Sequence, residues 1–262
     1  MRKQGKAAVQ RPASLVSSKN TSQGARKNLK ITNGIRGYAI CTSPRSGSNF
    51  FCQHLSSTGA LGHPLEYFNW RARRFFDHPN FPERVSGQIE KILTMGATSN
   101  RIYGLKIFAH QHDWISGEID WTDALPNLHF VYLSRRDLLQ QAVSWAKAIQ
   151  TGQYRSTQPP NQTAVFDPEL IQRQLDALVR ERARWEMFYA RTGIQPLRIE
   201  YEPLVADPLD AVSEVANMMG VKLQPTQDFS RVVIQKQRDL ISQEWADRFK
   251  MERGNRNILD IV

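Results

Sequence analysis

Short, almost wholly apolar runs alternate along this chain with stretches of helical periodicity. Tyr38–Cys41, Ile102–Phe108, His129–Ser134 and Leu197–Tyr201 read as strands. Asn49–Ser57, Glu83–Met95, Asp137–Gln150, Pro168–Arg191, Pro208–Met219 and Ser242–Met251 read as helices. Punctuation supports several of them. Gly96 and Gly152 close two helices, and Asp167 stands at the cap position before Pro168. Strands with so few polar positions do not face water on one side. The pattern therefore predicts an α/β fold, a parallel sheet covered by helices on both faces. Ligands of such sheets bind beyond the carboxyl ends of the strands. That rule selects the turn Thr42–Ser48 and the residues just after Ser134. Arg155–Ala164, which contains Pro159 and Pro160, reads as a loop and a candidate lid.

The first selected turn carries Thr42-Ser43-Pro44-Arg45-Ser46-Gly47-Ser48-Asn49 between a strand and a helix. Backbone N–H groups at a helix start, hydroxyls and a guanidinium make a cradle for a tetrahedral anion, phosphate or sulfate. The turn is not a Walker A loop, because Gly47 is followed by Ser48 and Asn49 and no Lys is present. A second anion site is suggested by Ser134-Arg135-Arg136-Asp137 with Ser144 two turns into the following helix. The plainer alternative is that Arg135 and Arg136 pair with surface carboxylates. Two such sites in one chain suggest a nucleotide with anions at both ends.

Charge changes the picture less than its total implies. The formal net charge is +10, yet residues 1–36 hold nine Lys and Arg (Arg2, Lys3, Lys6, Arg11, Lys19, Arg26, Lys27, Lys30, Arg36) and no acid. This segment is expected to be a disordered basic tail, with residues 37–262 forming the folded domain. A solvated arm, a transit peptide and an electrostatic tether are its three candidate roles. No run of about 18 apolar residues occurs, so no membrane span is expected, and no secretory signal is evident. Cys41 and Cys52 lie in apolar surroundings and form no disulfide framework, which favours a reduced, cytoplasmic setting. His110 and His112 have no partner ligands at metal spacing, so no metal is expected.

Taken in order, Pro44-Arg45-Ser46-Gly47-Ser48, Gly62-His63-Pro64-Leu65-Glu66-Tyr67-Phe68, Ser134-Arg135-Arg136-Asp137 with Gln141-Ala142-Val143-Ser144, Gln150-Thr151-Gly152, Ile199-Glu200-Tyr201, Lys236-Gln237-Arg238-Asp239 and Glu244-Trp245 resemble bacterial sulfotransferases of the trehalose 2-sulfotransferase type. The resemblance covers roughly residues 37–250. It implies a P-loop-like sulfotransferase fold, the donor 3′-phosphoadenosine-5′-phosphosulfate, no metal, and a carbohydrate or glycolipid acceptor. It places the 5′-phosphosulfate on Arg45, Ser46, Gly47, Ser48 and Asn49, and the 3′-phosphate on Arg135 with Ser144. Arg136 has the Ser spacing used by the wider class, so the choice between the two arginines stays open. Lys236 falls near the nucleotide by the same resemblance.

Glu66 matches the family's catalytic carboxylate and is the first acid in the chain. An attacking hydroxyl must lose a proton, and a carboxylate in reach serves as general base. Arg45 would stabilise charge on the leaving phosphate in an in-line transfer, and Lys106 is a candidate for the sulfuryl oxygens. His63 stands where the trehalose-recognising pattern has an acid, which weakens the case for trehalose. His63, Glu66 and Phe68 are the candidate acceptor contacts, and Tyr67, Trp70, Phe75 and Phe76 offer further rings for a sugar face. Competing readings are a non-catalytic nucleotide- or sugar-binding module of the same fold, a nucleotide kinase with a degenerate loop, and nucleic-acid binding through the tail. Oligomeric state, a homodimer included, is not fixed by the sequence.

Overall fold

The computed structural model describes residues 34–155, 158–223 and 240–259. Four strands form one all-parallel sheet: β1 (Arg36–Thr42), β2 (Ile102–Phe108), β3 (Leu128–Ser134) and β4 (Leu197–Glu200), in the order β2-β1-β3-β4. Burial explains why the strands carry so few polar residues. Along β1, Ala39 and Cys41 enter one hydrophobic core while Tyr38 and Ile40 enter the other. Every residue of β2 is buried, Lys106 included. The strand starts two residues earlier than the pattern indicates, taking in Arg36, whose Nε donates to the Met219 carbonyl at 3.0 Å.

Among the described residues the helices are α1 (Ser48–Ser57), α2 (Trp70–Phe76), α3 (Val85–Thr94), α4 (Ala109–Ser116), α5 (Trp121–Ala124), α6 (Leu138–Thr151), α7 (Pro168–Thr192), α8 (Tyr201–Ala206), α9 (Pro208–Met218) and α10 (Leu240–Arg253). Local capping sets several of their starts. Asp137 accepts from Gln140 N at 3.0 Å and Asp167 from Leu170 N at 2.9 Å, and Gly152 and Gly193 end α6 and α7 at positive φ. α4, α5 and α8 carry no periodic signal in the sequence. α4 follows β2 without a turn, and its first N–H groups are met from afar. Ala109 N and His110 N donate to the two oxygens of Glu181 on α7, at 2.8 and 3.0 Å.

β1 lies between β2 and β3, so the chain leaves it to one side and returns on the other. That reversal opens a crevice between the carboxyl ends of β1 and β3. The turn after β1 is bent sharply there, with Arg45 at φ 62° and Gly47 at φ 83°. Neighbouring elements hold the bend. Gln141 Nε2 of α6 donates to Ser43 Oγ at 2.9 Å and to the Pro44 carbonyl at 2.6 Å, and Trp185 Nε1 of α7 donates to the Thr42 carbonyl at 2.9 Å. Gly47 needs its missing side chain twice over, since its φ is left-handed and a Cβ there would collide with the Tyr201 ring. Gly47→Ala is therefore expected to lose about 1–3 kcal/mol of stability. Equilibrium urea unfolding measures this, and an unchanged midpoint would contradict the account of the turn.

Candidate active site

A cavity of about 840 Å³ opens at this crevice, lined by the turn after β1, the first turn of α1, Glu66, one face of α2, the ends of β2 and β3, Ser144, Tyr154, Arg155 and Tyr201. Among its described lining residues, five cations (Arg45, Arg73, Lys106, Arg135, Arg155) face two carboxylates (Glu66, Asp77), a surplus of three positive charges. Gly47, Ser48 and Asn49 present the start of α1 to the same space, where N–H groups have no intrahelical carbonyl.

Arg45 is half-buried: its Nε donates to Ser144 Oγ at 3.0 Å and its Nη1 to the Tyr154 carbonyl at 2.7 Å. Arg135 Nη1 approaches the Arg45 carbonyl at 3.4 Å, and its guanidinium lies 4.6 Å from the Tyr201 ring centroid. Burial first, and then the neighbouring Arg135 charge, push Arg45 down to about 10. The Arg45 guanidinium stays charged at neutral pH at a cost, which an incoming anion would relieve. Arg136 points elsewhere, pairing with Glu200 at 3.3 Å and Glu202 at 3.5 Å on the surface. The geometry thus brings Arg135, Arg45 and Ser144 together, and of the two adjacent arginines only Arg135 lines the cavity.

Glu66 sits at the centre. Its Oε1 accepts from Asn69 Nδ2 and from Gln111 Nε2, both at 2.8 Å, and its Oε2 faces Lys106 Nζ at 3.3 Å. Lys106 Nζ also donates to Asn49 Oδ1 at 2.7 Å, tying the carboxylate to the anion cradle. Burial raises the Glu66 carboxyl, but the Lys106 charge and the amide hydrogen bonds outweigh it and hold the group below its ordinary range. Gln111 escapes a sequence reading altogether. Its Oε1 accepts from Phe108 N at 3.1 Å, which fixes the amide so that its Nε2 meets Glu66. No motif signals this residue, because α4 is defined by tertiary contacts.

Three expected site residues do not join the cavity wall. The Ser46 hydroxyl is buried against Thr42 at 2.7 Å, leaving its backbone as its only link to the cradle. Phe68 is 3 % exposed and packs edge-on to Trp121 in the core, so neither face is offered to a sugar. His63 is exposed and is not part of the cavity lining, and its carbonyl accepts from Tyr67 Oη at 3.0 Å. Tyr67 is likewise core, whereas Phe76 does line the cavity. Lys236 lies outside the described residues. Among the described residues no group of three or more His, Cys, Asp or Glu is placed to hold a metal ion, and no helix is long and apolar enough to cross a membrane.

The parallel α/β sheet thus carries a cluster of cations at its switch point, with a largely covered carboxylate beside them. Residues 37–252 match the Stf0 sulphotransferase family, and the chain belongs to it. It is similar to a trehalose 2-sulfotransferase of Mycobacterium tuberculosis (strain ATCC 35801 / TMC 107 / Erdman), 25% identical over 266 residues that cover 85% of this chain and 97% of that one. A trehalose 2-sulfotransferase of Mycolicibacterium smegmatis is 23% identical, covering 82% of this chain and 94% of its own. Among solved structures, a sulfotransferase from Alicyclobacillus acidocaldarius aligns with a TM-score of 0.46 at 16% identity, covering 83% of this chain and 92% of that one.

The Lys106–Glu66 contact gives a direct test. Because the Glu66 carboxyl is held low, its ionisation adds stability that is present above the ordinary value of 4.5 and is lost as pH falls through the lower folded value. In Lys106→Met, burial dominates and the carboxyl rises, so this contribution reverses sign and stability is lost as pH climbs. The variant is expected to be about 3–5 kcal/mol less stable at neutral pH, with the deficit shrinking toward about pH 4. Urea unfolding at both pH values distinguishes this from a pH-independent loss of packing.

Proposed function

We propose that this chain transfers a sulfuryl group from 3′-phosphoadenosine-5′-phosphosulfate to a hydroxyl of a sugar-containing acceptor, with Glu66 as general base. The observation that carries the reading is the surplus of positive charge around a cavity whose central carboxylate is kept ionised. A nucleotide with anions at both ends fits that surplus and a volume of about 840 Å³. The donor, when bound, supplies the sulfuryl group on a phosphate leaving group.

Arg135 and Ser144 hold the 3′-phosphate in this reading, while Gly47, Ser48 and Asn49 receive the phosphosulfate at the start of α1. The Ser46 hydroxyl is engaged by Thr42, so that residue contributes through its backbone. Arg45 exchanges Ser144 for the phosphate bridge, trading a neutral partner for a charged one. The two oxygens of Glu66 then have separate tasks. Oε1 is occupied by Asn69 and Gln111, which fix the plane of the carboxylate, and Oε2 retains a lone pair for the acceptor proton. Lys106, between Oε2 and the cradle, is placed to meet the sulfuryl oxygens, and its withdrawal from Glu66 raises the basicity of that oxygen as the proton arrives. No metal has a part in these steps. The trehalose-type relatives support a sugar acceptor, and Lys236 stays a nucleotide contact by resemblance.

Calorimetry with adenosine 3′,5′-bisphosphate against ADP tests the donor site. Selective binding is expected, weakened in Arg135→Ala by at least tenfold, about 1.4 kcal/mol. Equal binding of both nucleotides would refute the donor assignment. Glu66→Gln separates binding from chemistry: bisphosphate affinity should persist while turnover drops at least about a hundredfold. Near-normal turnover of that variant would remove Glu66 from the role of base.

A further inference from the structure

The wall of the cavity beyond Glu66 is α2. Asn69, its cap residue, touches Glu66, and Ala72, Arg73 and Phe76 continue the same face into the cavity. One helical turn, about 5–6 Å, separates Asn69 from Arg73. Arg73 is 4 % exposed, and its buried Nε has no hydrogen-bond acceptor among the described residues. Its Nη1 lies 2.7 Å from Asp77 Oδ2. Burial pushes the Arg73 guanidinium down, an effect that Asp77 offsets and the nearby Arg155 charge worsens. Arg155, from the loop after α6, lies 3.5 Å from the other Asp77 oxygen and 4.6 Å above the Phe76 ring centroid.

Two guanidiniums therefore share one carboxylate at this end; Glu66 also favours the Arg73 charge, but it is paired with Lys106, and the Arg73 guanidinium remains pushed down. A neutral sugar gives a buried guanidinium only hydroxyl oxygens, whereas a carboxylate or phosphate accepts the forked, charge-assisted hydrogen bonds that repay its desolvation. Resting on the sulfotransferase reading above, we infer that the acceptor carries an anionic group, a carboxylate or a phosphate monoester, on the same sugar unit as the hydroxyl that is sulfated. Arg73 and Arg155 hold that group, and Phe76 supplies an apolar surface for the ring. The spacing of one helical turn between the contacts of Glu66 and of Arg73 limits the distance between hydroxyl and anion to about one sugar ring.

The test is calorimetry on the full chain saturated with adenosine 3′,5′-bisphosphate, which blocks the donor cradle and needs no turnover. Glucose, trehalose, glucuronate and glucose 6-phosphate are titrated in turn. At least one charged sugar is expected to bind tenfold or more tightly than glucose and trehalose, and the comparison of glucuronate with glucose 6-phosphate separates carboxylate from phosphate. The advantage should fall below about threefold in Arg155→Gln, a loop variant that spares the core, and in Arg73→Gln where that variant folds. Equal affinity for charged and neutral sugars, or an advantage untouched by Arg155→Gln, would overturn the inference while leaving the donor assignment standing. Failure of the bisphosphate itself to bind would overturn the donor reading and this inference with it.

Discussion

The bend that follows β1 is the constraint on which the site depends. It reverses the chain within a few residues, through left-handed conformations at Arg45 and Gly47, and aims the start of α1 at the crevice. Such backbone persists only when its surroundings over-determine it. Here they do: Gln141 and Trp185 hold the Thr42 and Pro44 carbonyls and the Ser43 hydroxyl, while Tyr201 packs where a Gly47 side chain would stand. Arg135 in turn approaches the Arg45 carbonyl and lies over Tyr201, so the two guanidiniums take their positions from one turn and one ring.

Electrostatics then divides the cavity into three parts. At the β1 end, Arg45 and Arg135 stand close enough to repel. In the middle, Glu66 and Lys106 compensate each other, so the carboxylate stays ionised despite its burial. Along α2, Asp77 is shared between Arg73 and Arg155. In the function proposed above, a polyanionic donor would answer the first part and a proton-yielding hydroxyl the second. The third asks something of the acceptor.

Distant elements enforce this layout. Glu181 of α7 caps α4 with both oxygens and also meets His110 Nδ1 at 2.9 Å. A fixed α4 start places Gln111, which clasps Phe108 N and reaches Glu66. The orientation of the central carboxylate is thus linked to a residue on α7, through the helix that α7 caps. That link gives α7 a part in the site that its position in the sequence would not suggest.

Much of the architecture was legible in residue order. Buried strands need apolar residues on both faces, so the four runs announced a parallel sheet, and local caps such as Asp167 and Gly152 announced helix ends. The turn after β1 was legible as a turn between a strand and a helix; on its own it reads equally as a plain helix cap, and what sets it apart is that the family's motifs lie in order from residue 37. Side-chain direction was not. Ser46 and Phe68 carry suitable chemistry, but the turn of the chain points them into the core, and His63 is turned to solvent. Neighbouring Arg135 and Arg136 differ only in the face on which each emerges from the end of β3. α4 and Gln111 were invisible because a helix capped by Glu181, 72 residues away, leaves no local signal. Sequence by itself determined the sheet, the turn that follows its first strand and the identity of the charges near it. Only the tertiary structure decided which of those charges face one another, because burial and pairing are properties of packed surfaces and not of chain order.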